Sequence, residues 1–301
     1  MSITAKSRSG IESRQRFGLM GSGGFIGSHL MHALKKEGCR VTAFKRKGVH
    51  NVPAVSELKS FVNGVDIIYH LGGVNRGTPS QILRGNILAM QNLIESVQSL
   101  AADRPHIVFL SSSQVYRLQE NANPILESDD VIPQSIYGIA KKTAEELLIL
   151  SGIKHTILRC SNVYGPACKP YYNSVIATFC NQALNGETLT LNGDGSHGRD
   201  FLYIDDAIKA LLAVAVSPLK ETRGMYNVSS GKITALNKIA KLIASLVPGA
   251  AYEHNRHAET GDPSYCCDSR RFRRCFKWKP DTSIGQGISL TLQWHKKNLA
   301  L

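Results

Sequence analysis

Tyr137 and Lys141 stand four residues apart in Tyr137-Gly-Ile-Ala-Lys141, on a stretch that reads as a helix, so the two side chains share one face. An isolated tyrosine, with a pKa of about 10, holds its proton too tightly to act as a base near neutrality, and a cation one turn away favours the phenolate. The pair is suited to moving a proton. Leu110-Ser-Ser-Ser-Gln-Val-Tyr116 ends an apolar run, where a serine hydroxyl can hydrogen-bond a substrate oxygen while Tyr137 gives or takes the proton. Far upstream, Gly21-Ser-Gly-Gly24-Phe-Ile-Gly27 follows the apolar run Phe17 to Met20. Glycines three apart at a strand-to-helix turn let backbone N–H groups close on a pyrophosphate. Taken singly, these are a turn, a strand end and a solvated helix face. Together they indicate a nicotinamide dinucleotide enzyme.

The choice of dinucleotide is made at the end of the second strand, where an Asp or Glu would bind the ribose 2′-hydroxyl of NAD. Lys45-Arg46-Lys47 occupies that place. With no acid and a guanidinium fork available for a phosphate, the expectation is a preference for NADP(H), led by Arg46, with NAD(H) as the alternative. A solvated basic loop is the plain reading of the same residues.

The elements that position these motifs alternate. Strands are predicted at Phe17 to Gly21, Arg40 to Phe44, Asp66 to Leu71, His106 to Ser111 and His155 to Arg159, with helices at Phe25 to Glu37, Asn86 to Leu100 and Tyr137 to Leu150. That alternation and right-handed crossovers imply an α/β fold, a Rossmann-type doubly wound parallel sheet with a smaller C-terminal substrate-binding lobe. The interval before Asp66 offers a weak strand at best, at Val52 to Val55, so one strand of the usual half-sheet is shortened or lost. Residues 1–16, rich in Ser, Lys, Arg and Gly, read as a flexible tail. Residues 17–164 read as the dinucleotide-binding domain, with 200–228 returning to it. Residues 165–199 and 229–301 read as the substrate lobe, including a helix at Val175 to Asn185, while Asp205 to Val216 reads as a helix that returns to the first domain.

At 301 residues and 43% apolar the chain can bury a sizeable core, and no run approaches the roughly 18 apolar residues of a membrane span, so a cytoplasmic protein is expected. Seven scattered cysteines read as reduced thiols, and no metal is expected. Much of the net charge of +13 lies in two patches, Lys6, Arg8, Arg14 and Arg16 in the tail and Arg270, Arg271, Arg273, Arg274, Lys277 and Lys279 near the end. No recognition module accompanies it, so phosphorylated small molecules or a solvated face are favoured over nucleic acid.

In this order the motifs resemble the extended short-chain dehydrogenase/reductase family, NAD(P)-dependent epimerases, dehydratases and reductases of nucleotide sugars. Asp66-Ile-Ile-Tyr-His-Leu-Gly, Asn86-Ile-Leu-Ala-Met-Gln-Asn-Leu, Leu158-Arg-Cys-Ser-Asn162-Val-Tyr-Gly-Pro166, the segment Gly193 to Asp206, Tyr226-Asn-Val-Ser-Ser-Gly231 and Trp278-Lys-Pro280 extend the match. His70-Leu-Gly-Gly-Val-Asn-Arg76 and Cys168 to Cys180 look closest to the reductase domain of capsule-synthesis enzymes acting on UDP-2-acetamido-2,6-dideoxy-hexuloses. The resemblance implies catalytic Ser112, with Ser113 the near alternative, Tyr137 and Lys141. It implies a cofactor groove of Gly21, Gly24, Phe25, Ile26, Gly27, Lys45, Arg46, Leu71, Gly72, Asn86, Tyr137 and Lys141. For the substrate it implies Ser113, Asn162, Asn173 and Arg199. Asn162 can equally satisfy loop backbone, and Arg199 can pair with Asp200 or Asp205. Met20, Gly72-Gly73 and Arg117 depart from the pattern without removing a group the chemistry needs.

The expected reaction is NADPH-dependent reduction of a 4-keto (6-deoxy) nucleotide-diphosphate sugar in surface-polysaccharide precursor synthesis. An epimerase retaining NAD is the rival, and a non-catalytic nucleotide- or RNA-binding member of the fold a minor one. A 4,6-dehydratase lacks its acid pair, since Ser113 and Gln114 stand there. A homodimer through the helices starting near Asn86 and Tyr137 is expected by analogy.

Overall fold

A computed structural model describes residues 11, 15–46, 48, 51–101, 104–119, 123–172, 174–217, 223–258 and 263–299. The first half alternates β1 (Arg16–Met20), α1 (Phe25–Lys36), β2 (Arg40–Phe44), α2 (Val55–Val62) and β3 (Ile67–His70). Next come α3 (Pro79–Leu83), a π-helical turn (Arg84–Leu88) running into α4 (Ala89–Gln98), then β4 (His106–Ser112), α5 (Ile136–Leu150) and β5 (His155–Cys160). The remainder is β6 (Asn162–Tyr164), α6 (Val175–Leu184), β7 (Leu189–Asn192), β8 (Gly198–Tyr203), α7 (Ile204–Val216), β9 (Gly224–Val228) and β10 (Ile233–Ala235). It closes with α8 (Leu236–Leu246), β11 (Tyr252–Asn255), α9 (Arg270–Phe276) and α10 (Ile284–Leu299).

Six strands form one sheet in the order β2-β1-β3-β4-β5-β9, with every neighbouring pair parallel. The chain steps outward from β1 to β2 and then crosses back to β3. The crevice beyond the carboxyl ends of β1 and β3 is therefore the topological switch point, the place where such sheets bind ligands. β3 and the middle of β4 read almost wholly apolar, because both faces are covered. Leu58, Leu93 and Leu148 of α2, α4 and α5 pack on one face. On the other, Leu30 and Leu34 of α1 meet Ile208 and Leu211 of α7 in a core that continues through Phe179, Leu189, Ile239 and Phe272. The C-terminal elements thus share a core with the sheet. Two small sheets, β10-β8-β6 and β11-β7, stand beside it.

The weak strand at Val52 to Val55 is lost, as the sequence allowed: residues 52–54 form no strand, and Val55 opens α2, whose Glu57 carboxylate accepts the Ala54 N–H at 2.9 Å. Leu58, Phe61 and Val62 then bury that helix, leaving β2 as the edge strand. Two of the residues expected in the tail belong to the fold. Ile11 is fully buried in the larger core, and Arg16 begins β1 with its N–H on Asp66 Oδ2 at 2.7 Å and its guanidinium on Asp66 Oδ1 at 3.0 Å.

Candidate active site

At the switch point the glycines are required by contact. Gly21 has φ +87°, and a Cβ there would lie 2.6 Å from the Gly72 nitrogen, so the turns after β1 and β3 touch. A Cβ on Gly27 would fall 2.0 Å from the Gly21 carbonyl oxygen. α1 therefore starts directly against the end of β1. Its N-cap is Gly24, with no side-chain cap, so the first-turn N–H groups at Phe25, Ile26 and Gly27 are left for a ligand. Leu71 is held by its N–H on Met20 O at 3.0 Å, beside Gly72.

Beyond β2, a cavity of ≈150 Å³ is lined by Phe44, Lys45, Arg46, Asn51, Val52, Pro53 and Glu57. Lys45 is exposed, whereas Arg46 is half-buried with Nη2 on the Gly85 carbonyl at 3.4 Å. Burial lowers the Arg46 pKa from its ordinary value. Glu57, the acid in this lining, spends its carboxylate on the α2 cap. Lys47 lies outside the described residues.

Tyr137 and Lys141 lie in the first two turns of α5, whose N-cap Ser135 accepts the Gly138 N–H at 3.0 Å. Lys141 Nζ is 5.7 Å from the Tyr137 ring centre and 4.7 Å from that of Phe109, and donates to Leu110 O at 3.0 Å. Lys141 does not pull the Tyr137 hydroxyl down, contrary to the sequence-based expectation. Burial pushes the phenol above its usual range, with Cys160 and Tyr172 adding to the effect. Burial also lowers Lys141 to about 8, against the opposing pull of Glu145. Both groups are shifted toward neutrality by the same low-dielectric surround. The free-enzyme Tyr137 is a protonated phenol, the form that donates.

This has a consequence for stability. In the unfolded chain Lys141 titrates near its ordinary 10.5, in the fold at about 8. Below pH 8 both states carry the proton, and between 8 and 10.5 the unfolded state alone keeps it, so this group's contribution to stability rises with pH across that window. We expect the stability difference between wild type and Lys141→Met to shift in favour of wild type by on the order of 2–3 kcal/mol over that range. Urea unfolding of both proteins at pH 7.5 and 10.5 measures it, and an unchanged difference would refute it.

Asn86 lies in the π-helical turn, buried, with Nδ2 donating to Val74 O at 2.7 Å and Ile82 O at 2.8 Å. Its Oδ1 has no partner. A Cβ on Gly73 would stand 2.7 Å from that oxygen and 3.3 Å from Lys141 Nζ. A free acceptor and a multivalent donor thus converge where only a glycine leaves room. A ribose hydroxyl, which both donates and accepts, matches that pair. With the uncapped α1 turn this makes the groove fit a nicotinamide dinucleotide.

Ser112, at the end of β4, accepts the Gln114 N–H at 3.2 Å, which leaves its own hydrogen for a substrate oxygen. The neighbouring Ser113 is buried and shares a hydrogen bond with Tyr265 at 3.0 Å, which ties it to the C-terminal segment. Gln114, which sequence reasoning noted only for not being an acid, accepts from Ser135 Oγ at 3.0 Å and ties the serine turn to the start of α5. Asn162 Nδ2 donates to Asp200 O at 3.3 Å, the backbone-satisfying alternative raised above. Arg199 has Nη1 on Gly198 O at 2.9 Å and Pro263 O at 3.4 Å, and among the described residues pairs with neither Asp200 nor Asp205. Asp200 is instead buried and accepts from Ser230, Gly231 and Cys267. Asn162 and Arg199 lie on adjacent strands of the small sheet, and Asn173 lies outside the described residues.

A model of the NAD dependent epimerase/dehydratase family matches residues 19–229, well over half of the chain. The chain belongs to that family. Family membership makes it an NAD(P)-dependent enzyme of the extended short-chain dehydrogenase type, with the Rossmann sheet described above. It is 26% identical to a UDP-N-acetyl-alpha-D-glucosaminuronate decarboxylase of Bacillus cytotoxicus, over 94% of this chain and 98% of that protein. Among solved structures it is similar to the UDP-glucose 4-epimerase of Thermotoga maritima with UDP-glucose, at 25% identity and TM-score 0.83, covering 95% of this chain and 100% of that one. MoeE5 in complex with UDP-glucose and NAD is 27% identical with TM-score 0.79, covering 94% and 99%. Among the described residues no helix is long and apolar enough to cross a membrane.

Proposed function

We propose that this family member is an NADP(H)-dependent reductase of a 4-keto (6-deoxy) nucleotide-diphosphate sugar, serving surface-polysaccharide precursor synthesis. The observation that carries the reading is the cavity after β2, where Lys45 and Arg46 stand and the acid present is engaged by the α2 cap. Gly21, Gly24 and Gly27 with the α1 N-terminus, Leu71, Gly72, Asn86 and Lys141 would hold the dinucleotide. When bound, it supplies the hydride for the carbonyl carbon.

The chain's own residues manage the oxygen. Ser112 orients it by a hydrogen bond from its free hydroxyl hydrogen. Tyr137, kept protonated by burial, gives up its proton as negative charge develops there. Lys141 is anchored on Leu110 O and offers its remaining donors to the ribose and, as Tyr137 loses its proton, charge to the phenolate. Asn162 and Arg199 would take the nucleotide diphosphate from the small sheet. The residue ranges given for the dinucleotide domain and the substrate lobe belong to this proposal. So does a homodimer through α4 and α5, supported by exposed Ile136, Ile139 and Ile149 on α5.

The test is NADPH consumption by purified protein with UDP-4-keto-6-deoxy-hexoses; no consumption with any of them counts against the reading. Arg46→Ala is expected to weaken NADPH binding about tenfold or more while leaving NADH within about twofold, as loss of one charge-assisted phosphate contact implies. Equal weakening of both in a calorimetric titration would make Arg46 a structural residue. The epimerase reading is favoured by the complex of MoeE5 with UDP-glucose and NAD. It requires the purified protein to carry tightly held NAD(H), which extraction and chromatography of the bound nucleotide detects.

A further inference from the structure

Arg76 sits in the loop from β3 to α3 and is exposed, with its guanidinium carbon 5.7 Å from the centre of the Tyr172 ring. Both ends of its loop are fixed. Val74 packs in one apolar cluster with Ile82, Ala140 and Tyr137, and its carbonyl accepts from Asn86 at 2.7 Å. Four residues on, Thr78 caps α3 reciprocally with Gln81. Tyr172 comes from the segment between β6 and α6. Its neighbour Tyr171, at φ +57°, is held by its N–H on Thr178 Oγ1 at 2.9 Å and its hydroxyl on Glu187 at 3.0 Å. Tyr172 also stands close enough to Tyr137 to raise the catalytic phenol's pKa. Arg76 and Tyr172 therefore meet beside the proton donor.

Among the described residues no carboxylate or carbonyl partners Arg76. A guanidinium within cation–π reach of an aromatic ring, as here, still has its N–H donors free for another partner. The site groups beside this loop are the Asn86 amide and the Lys141 ammonium, neither of which can pair with the Arg76 charge, so its donors face solvent and are open to a ligand. A hydroxyl or methyl substituent would use the fork poorly, whereas a planar C=O group engages it well.

We propose that Arg76, beside Tyr172, is the specificity residue for the sugar and selects nucleotide sugars bearing a planar carbonyl-type substituent, a carboxylate or an N-acetyl group. This deepens the reading of the site as a nucleotide-sugar site and rests on it.

Calorimetric binding of UDP, UDP-glucose, UDP-glucuronate and UDP-N-acetylglucosamine to NADPH-loaded wild type, Arg76→Met and Arg76→Lys tests it. Wild type is expected to prefer one of the two carbonyl-bearing sugars to UDP-glucose by about tenfold, the worth of one good charge-assisted contact. Arg76→Met should erase that preference while leaving UDP and NADPH affinity unaltered. Preference for UDP-glucuronate that Arg76→Lys partly retains identifies a carboxylate; preference for UDP-N-acetylglucosamine that Arg76→Lys loses identifies the acetamido carbonyl. An Arg76→Met protein that keeps the wild-type preference, or a wild type with none, overturns the inference while leaving the nucleotide-sugar reading standing. Failure of wild type to bind UDP or any UDP-sugar while binding NADPH removes that reading, and the inference with it.

Discussion

Tyr137→Phe is expected to lower turnover by roughly 10²- to 10⁴-fold, the range for removing a positioned general acid, with NADPH affinity unchanged within about twofold. The substitution deletes one oxygen and keeps the ring that packs with Val74, Ile82 and Ala140. Its effect is therefore chemical rather than structural. Burial raises the Tyr137 pKa, so across the neutral range the wild-type hydroxyl carries the proton that a carbonyl oxygen needs on reduction, and phenylalanine has none to give. Thermal unfolding should be unaltered or slightly later, since a desolvated hydroxyl is replaced by hydrogen. The loss should appear in single-turnover rates, where product release does not intervene. The experiment is rapid-mix oxidation of bound NADPH with a 4-keto nucleotide sugar, or, for a protein retaining NAD, the rate of sugar interconversion. A variant keeping more than about a tenth of the wild-type rate would remove Tyr137 as proton carrier in both readings.

How much of this was legible in the chain differs by scale. Strands β2, β4 and β5 and helices α1 and α5 follow their apolar runs to within a residue or two, because local periodicity and burial agree there. The helix at Asn86 to Leu100 is interrupted at its start by the π-helical turn, which arises where Asn86 turns its amide back to Val74 and Ile82. Periodicity carries no sign of such a contact. The pairing of Tyr137 with Lys141 was visible from four-residue spacing, yet the direction of their pKa shifts was not. A neighbouring cation is local information, whereas desolvation depends on everything packed around the site. The serine run shows the same boundary. Ser111 reaches Glu145, Ser112 is left for the groove and Ser113 meets Tyr265, so three identical residues do three jobs set by strand register and the turn that follows. The amphipathic α8 was missed although its apolar spacing at Ile239, Ala240 and Ile243 is local, whereas the Tyr265 contact joins residues 152 positions apart and had no local signal.

Glu145→Ala should be the most damaging substitution away from the reacting groups, at about 3–5 kcal/mol of stability. Glu145 and Arg159 are each 2% exposed at the side chain, with Arg159 Nη2 on Oε2 at 2.7 Å and Nε on Oε1 at 3.1 Å. Ser111 donates to the same carboxylate at 2.5 Å, Arg159 Nη1 donates to the Tyr116 hydroxyl at 3.0 Å, and Tyr116 donates to Asn227 at 2.8 Å. Burial works against the arginine's charge, but the Glu145 hydrogen bonds and charge, with Tyr116, more than offset it and raise its pKa. Removing the carboxylate strands a guanidinium in the interior between α5 and β5. Against a total stability of about 5–15 kcal/mol for a domain, that is a large share. The same pair touches function, because Glu145 lies one turn beyond Lys141 and holds its pKa up. Its loss should drive Lys141 further below its ordinary range, so less of the ammonium survives at neutral pH. Replacing both partners, as Glu145→Leu with Arg159→Met, should recover part of the lost stability without restoring Lys141, since no charge is left stranded. Urea unfolding of the single and double variants decides the matter. A single variant that loses less than about 1 kcal/mol, or a double variant no better than the single, would show that α5 is held to the sheet by its apolar face alone.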